Sequence, residues 1–463
     1  MSLSRRQFLA ATGTALGSAP APRPNILLLL GDNWAAPHAS ALGDPFVRTP
    51  VFDRIAREGV LFTHAFAPNP SCSPSRSGLL TGQETHRLGD AANLYGTLAE
   101  RYSTYPQLLA KQAGYHTGYV GKGWGPGTPP AGEGNPAGAH QAASIEEFFA
   151  KCPQGKPFCL WFGSHDPHVP WTRGEKRPGA VPTPPHLPPG SAEVREDIHG
   201  YYAEVEAFDA ECGAILDTLR QRGQLDNTLI VMTSDNGWQI PRGLANCYDL
   251  GVRIPLAARF PARFAAGQVR HDFVTLAALA PTFLEAAGIP RAAKSMTAHS
   301  LFAGHRNDDA VFLERERHAN VRRGNLGYPI RGIRTRRYLY LRNLTPDRWP
   351  AGDPEFYWAV GPYGDVDNSL SKQMLLRDKP QPYFGLCLGK RPFEELYDCE
   401  ADPGQVKNLA ADPAWAKVKA GLSRRVDEWM RKTADPRAAG ATSYWDDVPY
   451  TGPKFKGAPP PGN

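Results

Sequence analysis

Two apolar runs, far apart in the chain, end in the same way. Asn25-Ile26-Leu27-Leu28-Leu29-Leu30 leads into Gly31-Asp32-Asn33, and Thr228-Leu229-Ile230-Val231-Met232-Thr233 leads into Ser234-Asp235-Asn236-Gly237. Runs of this length without polar alternation suit strands buried on both faces of a parallel sheet. In open α/β sheets, ligands gather beyond the carboxyl ends of such strands. Asp32, Asn33, Asp235 and Asn236 are therefore candidates to converge on one hard cation. Amide ligands favour Ca2+ over Mg2+, and the donor set offers a transition metal no histidine. Taken singly, each string is also an ordinary turn sequence.

Further elements follow the same alternation. Helices are predicted over Phe52 to Val60, Tyr105 to Ala113 and Glu193 to Gln221. Strands are predicted over Thr117 to Gly121, ending at Lys122, and over Phe158 to Gly163, running into His165-Asp166-Pro167-His168. Strands alternating with helices imply an α/β sheet with crossovers. The alternation weakens after Leu301, where Tyr328 to Leu344 reads as strands and Ala414 to Lys432 as an amphipathic closing helix. With 463 residues the chain is long enough for a large domain and a smaller one. The expected division is 22–304 for a larger domain that carries both strand-end strings and 305–463 for a C-terminal subdomain, with the boundary near Gly304.

The net charge of +6 is mild, and arginines are scattered among acids, which gives a nucleic-acid partner no support. Ser4-Arg5-Arg6-Gln7-Phe8-Leu9 precedes a short apolar stretch to Ala19, followed by Pro20-Ala21-Pro22. That stretch is too short to span a membrane and has the layout of a cleavable signal over 1–21. The arginine pair resembles a twin-arginine export signal, which predicts a periplasmic or secreted protein with no membrane attachment after cleavage. Of seven cysteines, six besides Cys72 could pair in an oxidising compartment, with a connectivity the sequence does not reveal.

Cys72 stands apart because of its neighbours, Ser71-Cys72-Ser73-Pro74-Ser75-Arg76-Ser77-Gly78-Leu79-Leu80-Thr81-Gly82-Gln83. Pro74 suits a first helical turn, which puts Cys72 at a helix N-terminus where free N–H groups and the macrodipole favour an anion. Arg76 adds a fixed positive fork one turn in.

The pattern Cys-x-Pro-Ser-Arg followed by Leu-Thr-Gly resembles the signature of the type I, formylglycine-dependent sulfatases. The resemblance implies an alkaline-phosphatase-like fold: a large mixed β-sheet flanked by helices, with a smaller C-terminal α+β subdomain. It also implies that a maturating enzyme converts Cys72 to Cα-formylglycine, the nucleophile, and that Cys72 joins Asp32, Asn33, Asp235 and Asn236 around Ca2+. By the same resemblance, Arg76 and Lys122 neutralise sulfate and His168 faces the leaving group. Three positions depart from the family: Trp124 where a second histidine is usual, Leu244 where a basic residue is usual, and Asn33 where an acid is usual.

Within the family, Pro241-Arg242-Gly243 with Ala245-Asn246-Cys247-Tyr248, Gly327 to Arg331 and Leu341 to Leu344 resemble the heparan N-sulfatase branch. The implied substrate is a sulfated carbohydrate, N-sulfoglucosamine of heparan or heparin. His165, Arg242, Arg317 and His318 are candidates to bind it, the last two within the charged string Glu314-Arg315-Glu316-Arg317-His318. Trp349, Tyr357, Trp358 and Tyr363 could stack on sugar rings or pack their loop onto the core. Alternatives are an O-sulfated polysaccharide sulfatase, a phosphate or phosphonate monoester hydrolase, and a carbohydrate-binding relative without catalysis.

Overall fold

The computed structural model describes residues 23–130, 132–172, 181–303, 309–355, 361–440 and 442–453. The export signal, the boundary at Gly304, and Tyr357 with Trp358 lie outside the described residues.

An eight-stranded sheet forms the centre. Its strands are β1 (Asn25–Gly31), β2 (Val60–Phe66), β3 (His116–Gly121), β4 (His140–Ala142), β5 (Phe158–Gly163), β6 (Thr228–Ser234), β7 (Arg253–Arg259) and β8 (Gln268–Thr275), in the order β4-β3-β5-β1-β6-β7-β2-β8. All neighbours pair in parallel except β7, which is antiparallel to both β6 and β2. The sheet is thus mixed, as the resemblance implied.

β1 sits in the middle and its side chains divide between two cores. Leu27 and Leu29 pack with Val205, Phe208 and Cys212 of the long helix Ala192–Gln221. Ile26, Leu28 and Leu30 face the opposite layer, with Leu109 and Phe283. Burial on both faces is the physical reason its sequence lacks alternation.

The helix expected to reach Val60 stops at Glu58, and Val60 opens β2 instead. A Cβ at Gly59 would lie 2.1 Å from the Ala258 carbonyl oxygen, so only glycine lets the helix end abut β7. A second sheet, β12-β11-β10-β9, is antiparallel throughout and comprises β9 (Ala310–Arg315), β10 (Ile330–Thr335), β11 (Tyr338–Asn343) and β12 (Glu394–Asp398). The helix Ala416–Lys432 closes it, with Val426 and Trp429 on Ile333, Tyr340 and Leu396. All seven cysteines are free thiols, and besides Cys72 four of them, Cys159, Cys212, Cys247 and Cys387, are buried in the packing, as small apolar side chains rather than disulfide partners.

Candidate active site

Four parallel strands end at one level. Gly31 pairs with Ser234, Leu30 with Gly163, and Gly121 with Gly163. Main-chain bonds continue the alignment past the strands: Asp32 N donates to Asp166 O at 2.9 Å, Asp235 N to Gly31 O at 3.2 Å, and Lys122 N to Gly163 O at 2.7 Å. The loops that leave β1, β3, β5 and β6 therefore start side by side.

The helix Cys72–Thr81 lies over these ends with all ten of its residues buried. Gly82, in the left-handed region at φ +64°, stops it by donating to Gly78 O. Ser75 Oγ donates to the Asp235 carbonyl at 2.5 Å, tying the helix to the β6 loop. Cys72, as the first helical residue, presents Sγ 3.7 Å from Asp32 Oδ1, 3.8 Å from Asn33 Oδ1 and 3.6 Å from Asn236 Nδ2.

The ligand atoms of Asp32, Cys72 and Asp235 lie within 4.8 Å of one another, all buried. Asn33 turns at φ +77° and its N–H donates to Asp235 Oδ1 at 3.1 Å, joining the two strand ends. Asn236 Oδ1 is buried without a hydrogen-bond partner among the described residues. A buried orphan acceptor beside two carboxylates is the donor chemistry a hard cation satisfies, so the residues fit Ca2+.

Two cations balance the acids. Arg76 Nε donates to Asp235 Oδ2 at 2.8 Å, Nη2 to Asp32 Oδ1 at 3.3 Å, and Nη1 to Gly123 O at 2.6 Å. Lys122 Nζ pairs with Asp32 Oδ2. Burial pushes the Asp32 carboxyl up, but Lys122 and Arg76 outweigh it and hold the group well below the usual carboxylate range. Burial pushes the Cys72 thiol far above its ordinary value.

Cys72 opens into a cleft of about 250 Å³ whose walls include Tyr95, Lys122, His168, His318, Asp367 and Tyr450. A second groove of about 520 Å³ shares Lys122 and His168 and reaches His165 and Glu204. His168 Nδ1 donates to Val169 O at 2.6 Å, and Nε2 lies 2.9 Å from Gln239 Nε2. The orientation of the Gln239 amide is set by two other partners, since Oε1 accepts from Val169 N at 2.7 Å and Nε2 donates to Asp367 Oδ2 at 2.5 Å. His168 Nε2 is thereby an acceptor in this state. His318 Nδ1 meets Ser71 Oγ at 2.6 Å, and burial lowers its pKa.

The structure thus brings Asp32, Asn33, Cys72, Lys122, Asp235 and Asn236 together, with His168 and His318 on the cleft wall and His165 in the adjoining groove. Three expectations need correction. Arg76 stands behind the acids, fully buried, with each of its nitrogens engaged by the protein, and does not line the cleft. Arg242 donates to Leu386 O at 2.8 Å and Gln405 O at 2.6 Å and stacks on Tyr248 at 3.8 Å. Arg317 donates to Val448 O at 2.6 Å and is 1% exposed. Both arginines hold main-chain carbonyls rather than facing ligand.

The rest of the charged string is likewise internal, with Glu314 on His86 at 2.7 Å and Glu316 on Arg331 at 2.7 Å. Trp349 and Tyr363 pack edge to face at 5.8 Å and join the core, so this aromatic pair anchors its loop. Tyr95, Gln239, Asp367 and Tyr450 were not anticipated. They come from loops and from the C-terminal segment, which no local pattern marks as lying near Cys72.

A sulfatase family model matches residues 24–128 and 137–289. N-sulphoglucosamine sulphohydrolase of Homo sapiens is 29% identical over 91% of this chain and 92% of its own. An ulvan-active sulfatase of Formosa agariphila is 26% identical over 90% of this chain and 82% of its own. Among solved structures, a protein in complex with its substrate D-glucosamine-2-N,6-O-disulfate superposes with a TM-score of 0.64, at 20% identity over 91% of this chain and 100% of that one. Phosphonate monoester hydrolase of Agrobacterium radiobacter shares the fold too, with a TM-score of 0.63 at 19% identity over 89% of this chain and 96% of that one. The match runs through the strand ends, the helix that begins at Cys72 and the alkaline-phosphatase-like sheet beneath them, and by it the chain belongs to the sulfatase family, as a sulfuric ester or sulfamate hydrolase.

Proposed function

We propose that this sulfatase removes the N-linked sulfate from terminal glucosamine of heparin or heparan fragments. The observation that carries the reading is the likeness to human N-sulphoglucosamine sulphohydrolase along nine-tenths of both chains. The cleft of about 250 Å³ at Cys72 has room for a terminal sugar.

Asp32, Asn33, Asp235 and Asn236 would hold Ca2+, which when bound supplies positive charge to sulfate oxygens. Cys72, converted to Cα-formylglycine by a maturating enzyme, would supply a hydrated aldehyde as nucleophile. Lys122, anchored on Asp32, lines the cleft, where its preorganised charge would stabilise the charge that develops on sulfate. Arg76 bonds both carboxylates and keeps them aimed. His168 has its Nδ1–H committed to Val169 O, so proton exchange with the leaving group runs through Nε2. That step requires Nε2 to exchange its Gln239 bond for one to substrate.

A second reading, an O-sulfated polysaccharide, is favoured by the likeness to the ulvan-active sulfatase. Export through the segment 1–21 would place the enzyme where polysaccharide fragments arrive, with 22–304 carrying the site and 305–463 forming the smaller subdomain; no helix among the described residues is long and apolar enough to cross a membrane.

The test is sulfate release from N-sulfoglucosamine, glucosamine 6-O-sulfate and an aryl sulfate, by protein co-expressed with a maturating enzyme. Peptide mass spectrometry of the Cys72 segment should show the aldehyde. Release only from O-sulfated sugars would defeat the N-sulfate assignment, and full activity with unmodified cysteine would defeat the mechanism.

A further inference from the structure

Among the described residues lining the Cys72 cleft, Asp367 is the one acid. A carboxylate in the wall of a pocket that takes an anion repels that anion, unless it faces a part of the substrate that donates hydrogen bonds or carries positive charge. Nearby Asp365 shows what a structural aspartate looks like in this protein. It is 1% exposed, paired with Arg315, bonded to Arg322 at 2.6 Å, and accepts from Ala319 N at 3.1 Å. Asp367 has no arginine; it attracts the Lys372 ammonium and faces His318 without an ion pair to either. Its Oδ2 accepts from Gln239 Nε2 at 2.5 Å, and its Oδ1 has no hydrogen-bond partner among the described residues.

The single nitrogen that holds Asp367 also lies 2.9 Å from His168 Nε2. Carboxylate and imidazole are therefore neighbours across one amide nitrogen, and both line the cleft. Gln239 is 1% exposed and locked by Val169 N, which fixes the spacing. Lys372 supports the loop from behind, with Nζ on the Val366 carbonyl at 2.5 Å.

We propose that Asp367 determines specificity for a nitrogen leaving group: it accepts a hydrogen bond from the glucosamine nitrogen and holds the ammonium that forms there. The inference rests on the N-sulfate reading. In that reaction the N–S bond breaks with its electron pair on nitrogen. Water supplies the oxygen that sulfur gains and the two protons that nitrogen gains, one of them by way of His168 Nε2. The products are an ammonium ion and sulfate. The nitrogen goes from neutral to positive, so a carboxylate beside it favours departure. An oxygen leaving group builds negative charge and ends as a neutral alcohol, so the same carboxylate opposes it. One residue thus separates sulfamate from sulfate ester by the sign of the charge that develops.

The test uses the full chain and Asp367→Asn, whose remaining oxygen can still accept from Gln239 and keep the clamp. With matured enzyme, the ratio of kcat/KM for N-sulfoglucosamine to that for an aryl sulfate is expected to fall about 30-fold or more, the scale of a lost charge-assisted hydrogen bond. Asp367→Glu should restore part of that ratio, which a merely structural role would not do. Calorimetry with Cys72→Ala protein should show glucosamine binding more tightly than N-acetylglucosamine, with the preference gone when Asp367→Asn is added. If N-sulfoglucosamine is hydrolysed and both ratios are unmoved by Asp367→Asn, the assignment of Asp367 falls while the N-sulfate reading stands. If only O-sulfated sugars are hydrolysed but the amine preference depends on Asp367, the N-sulfate reading falls while Asp367 remains an amine site.

Discussion

Replacing Arg76 by methionine removes the cation that sits between two buried carboxylates. The guanidinium is fully buried, and it bonds Asp235 at 2.8 Å, Asp32 at 3.3 Å and the Gly123 carbonyl at 2.6 Å. Methionine adapts to most of the vacated space and brings no donor, so the loss is electrostatic more than steric. Breaking a buried pair by deleting one partner costs about 3–5 kcal/mol. Lys122 still faces Asp32, so Asp235 bears most of that cost, and the orphaned Gly123 carbonyl adds about 1 kcal/mol. A loss of about 4 kcal/mol is expected in calcium-free buffer. Calcium should restore much of it, because a cation between Asp32 and Asp235 replaces the missing charge, and a ligand at 100 times its Kd contributes about 2.7 kcal/mol. Tryptophan-fluorescence urea unfolding of both proteins, with chelator and with calcium, measures the four values. A chelator midpoint equal to wild type, at equal slope, would refute the balancing role of Arg76. A calcium increment no larger than that of wild type would place the cation elsewhere.

Asp235→Ala should abolish bound calcium, measured by elemental analysis after dialysis, and lower stability by about 3 kcal/mol because Arg76 loses its shorter carboxylate bond; retained stoichiometric calcium would mean the ligands are misassigned. Arg242→Gln should cost about 2–3 kcal/mol in unfolding experiments by orphaning the Leu386 and Gln405 carbonyls, with KM unchanged; a raised KM at wild-type stability would return Arg242 to the substrate site. Burial pulls the Lys372 ammonium down from 10.5 to about 8 against the attraction of Asp367 and Asp365. The unfolded chain therefore binds that proton more tightly between the two values, so the contribution of Lys372 to stability rises as pH climbs from about 8 to 10.5 and is lost below about 8. Lys372→Met should flatten this slope in urea midpoints taken across that range, and an unchanged slope would refute the assignment.

The strand ends were legible because burial on both faces leaves an unmistakable local trace, an apolar run that stops at a polar pair. β1, β5 and β6 carry that trace, and Asp32, Asn33, Asp235 and Asn236 follow from it. β2 and β8 do not, and β7, apolar from Ile254 to Ala258, stops at Arg259-Phe260 rather than at a polar pair. β8 includes Gln268, Arg270, His271 and Asp272, and β2 begins one residue after a helix, so their pairing is settled by tertiary contact that no short window encodes. Arginines were misjudged for a related reason. An arginine in a loop looks like an anion site, yet Arg242 and Arg317 are matched to carbonyls contributed by residues more than 130 positions away. Tyr450 reaches the cleft only because the C-terminal segment returns to Tyr95, with Thr451 Oγ1 on Tyr95 O at 2.7 Å.

The three departures from the family acquire a common sense in the structure. Trp124, where the resemblance implied a second histidine, is 3% exposed and donates from Nε1 to Ser77 Oγ at 2.8 Å, so it braces the helix of Cys72 instead of facing the cleft. Leu244 is an apolar wall of that cleft. Arg76 is consumed by the acids. Among the described lining residues, Lys122 is then the one lysine or arginine presented to the ligand. Asn33 meets this shortage from the other side, since an amide there leaves Asp32 and Asp235 as the carboxylates of the cluster, matched in number by Arg76 and Lys122. A third acid would leave the cluster net negative and weaken the pull of a bound cation on sulfate. One lysine on the cleft face, and two carboxylates matched by two cations behind it, are two halves of one electrostatic balance.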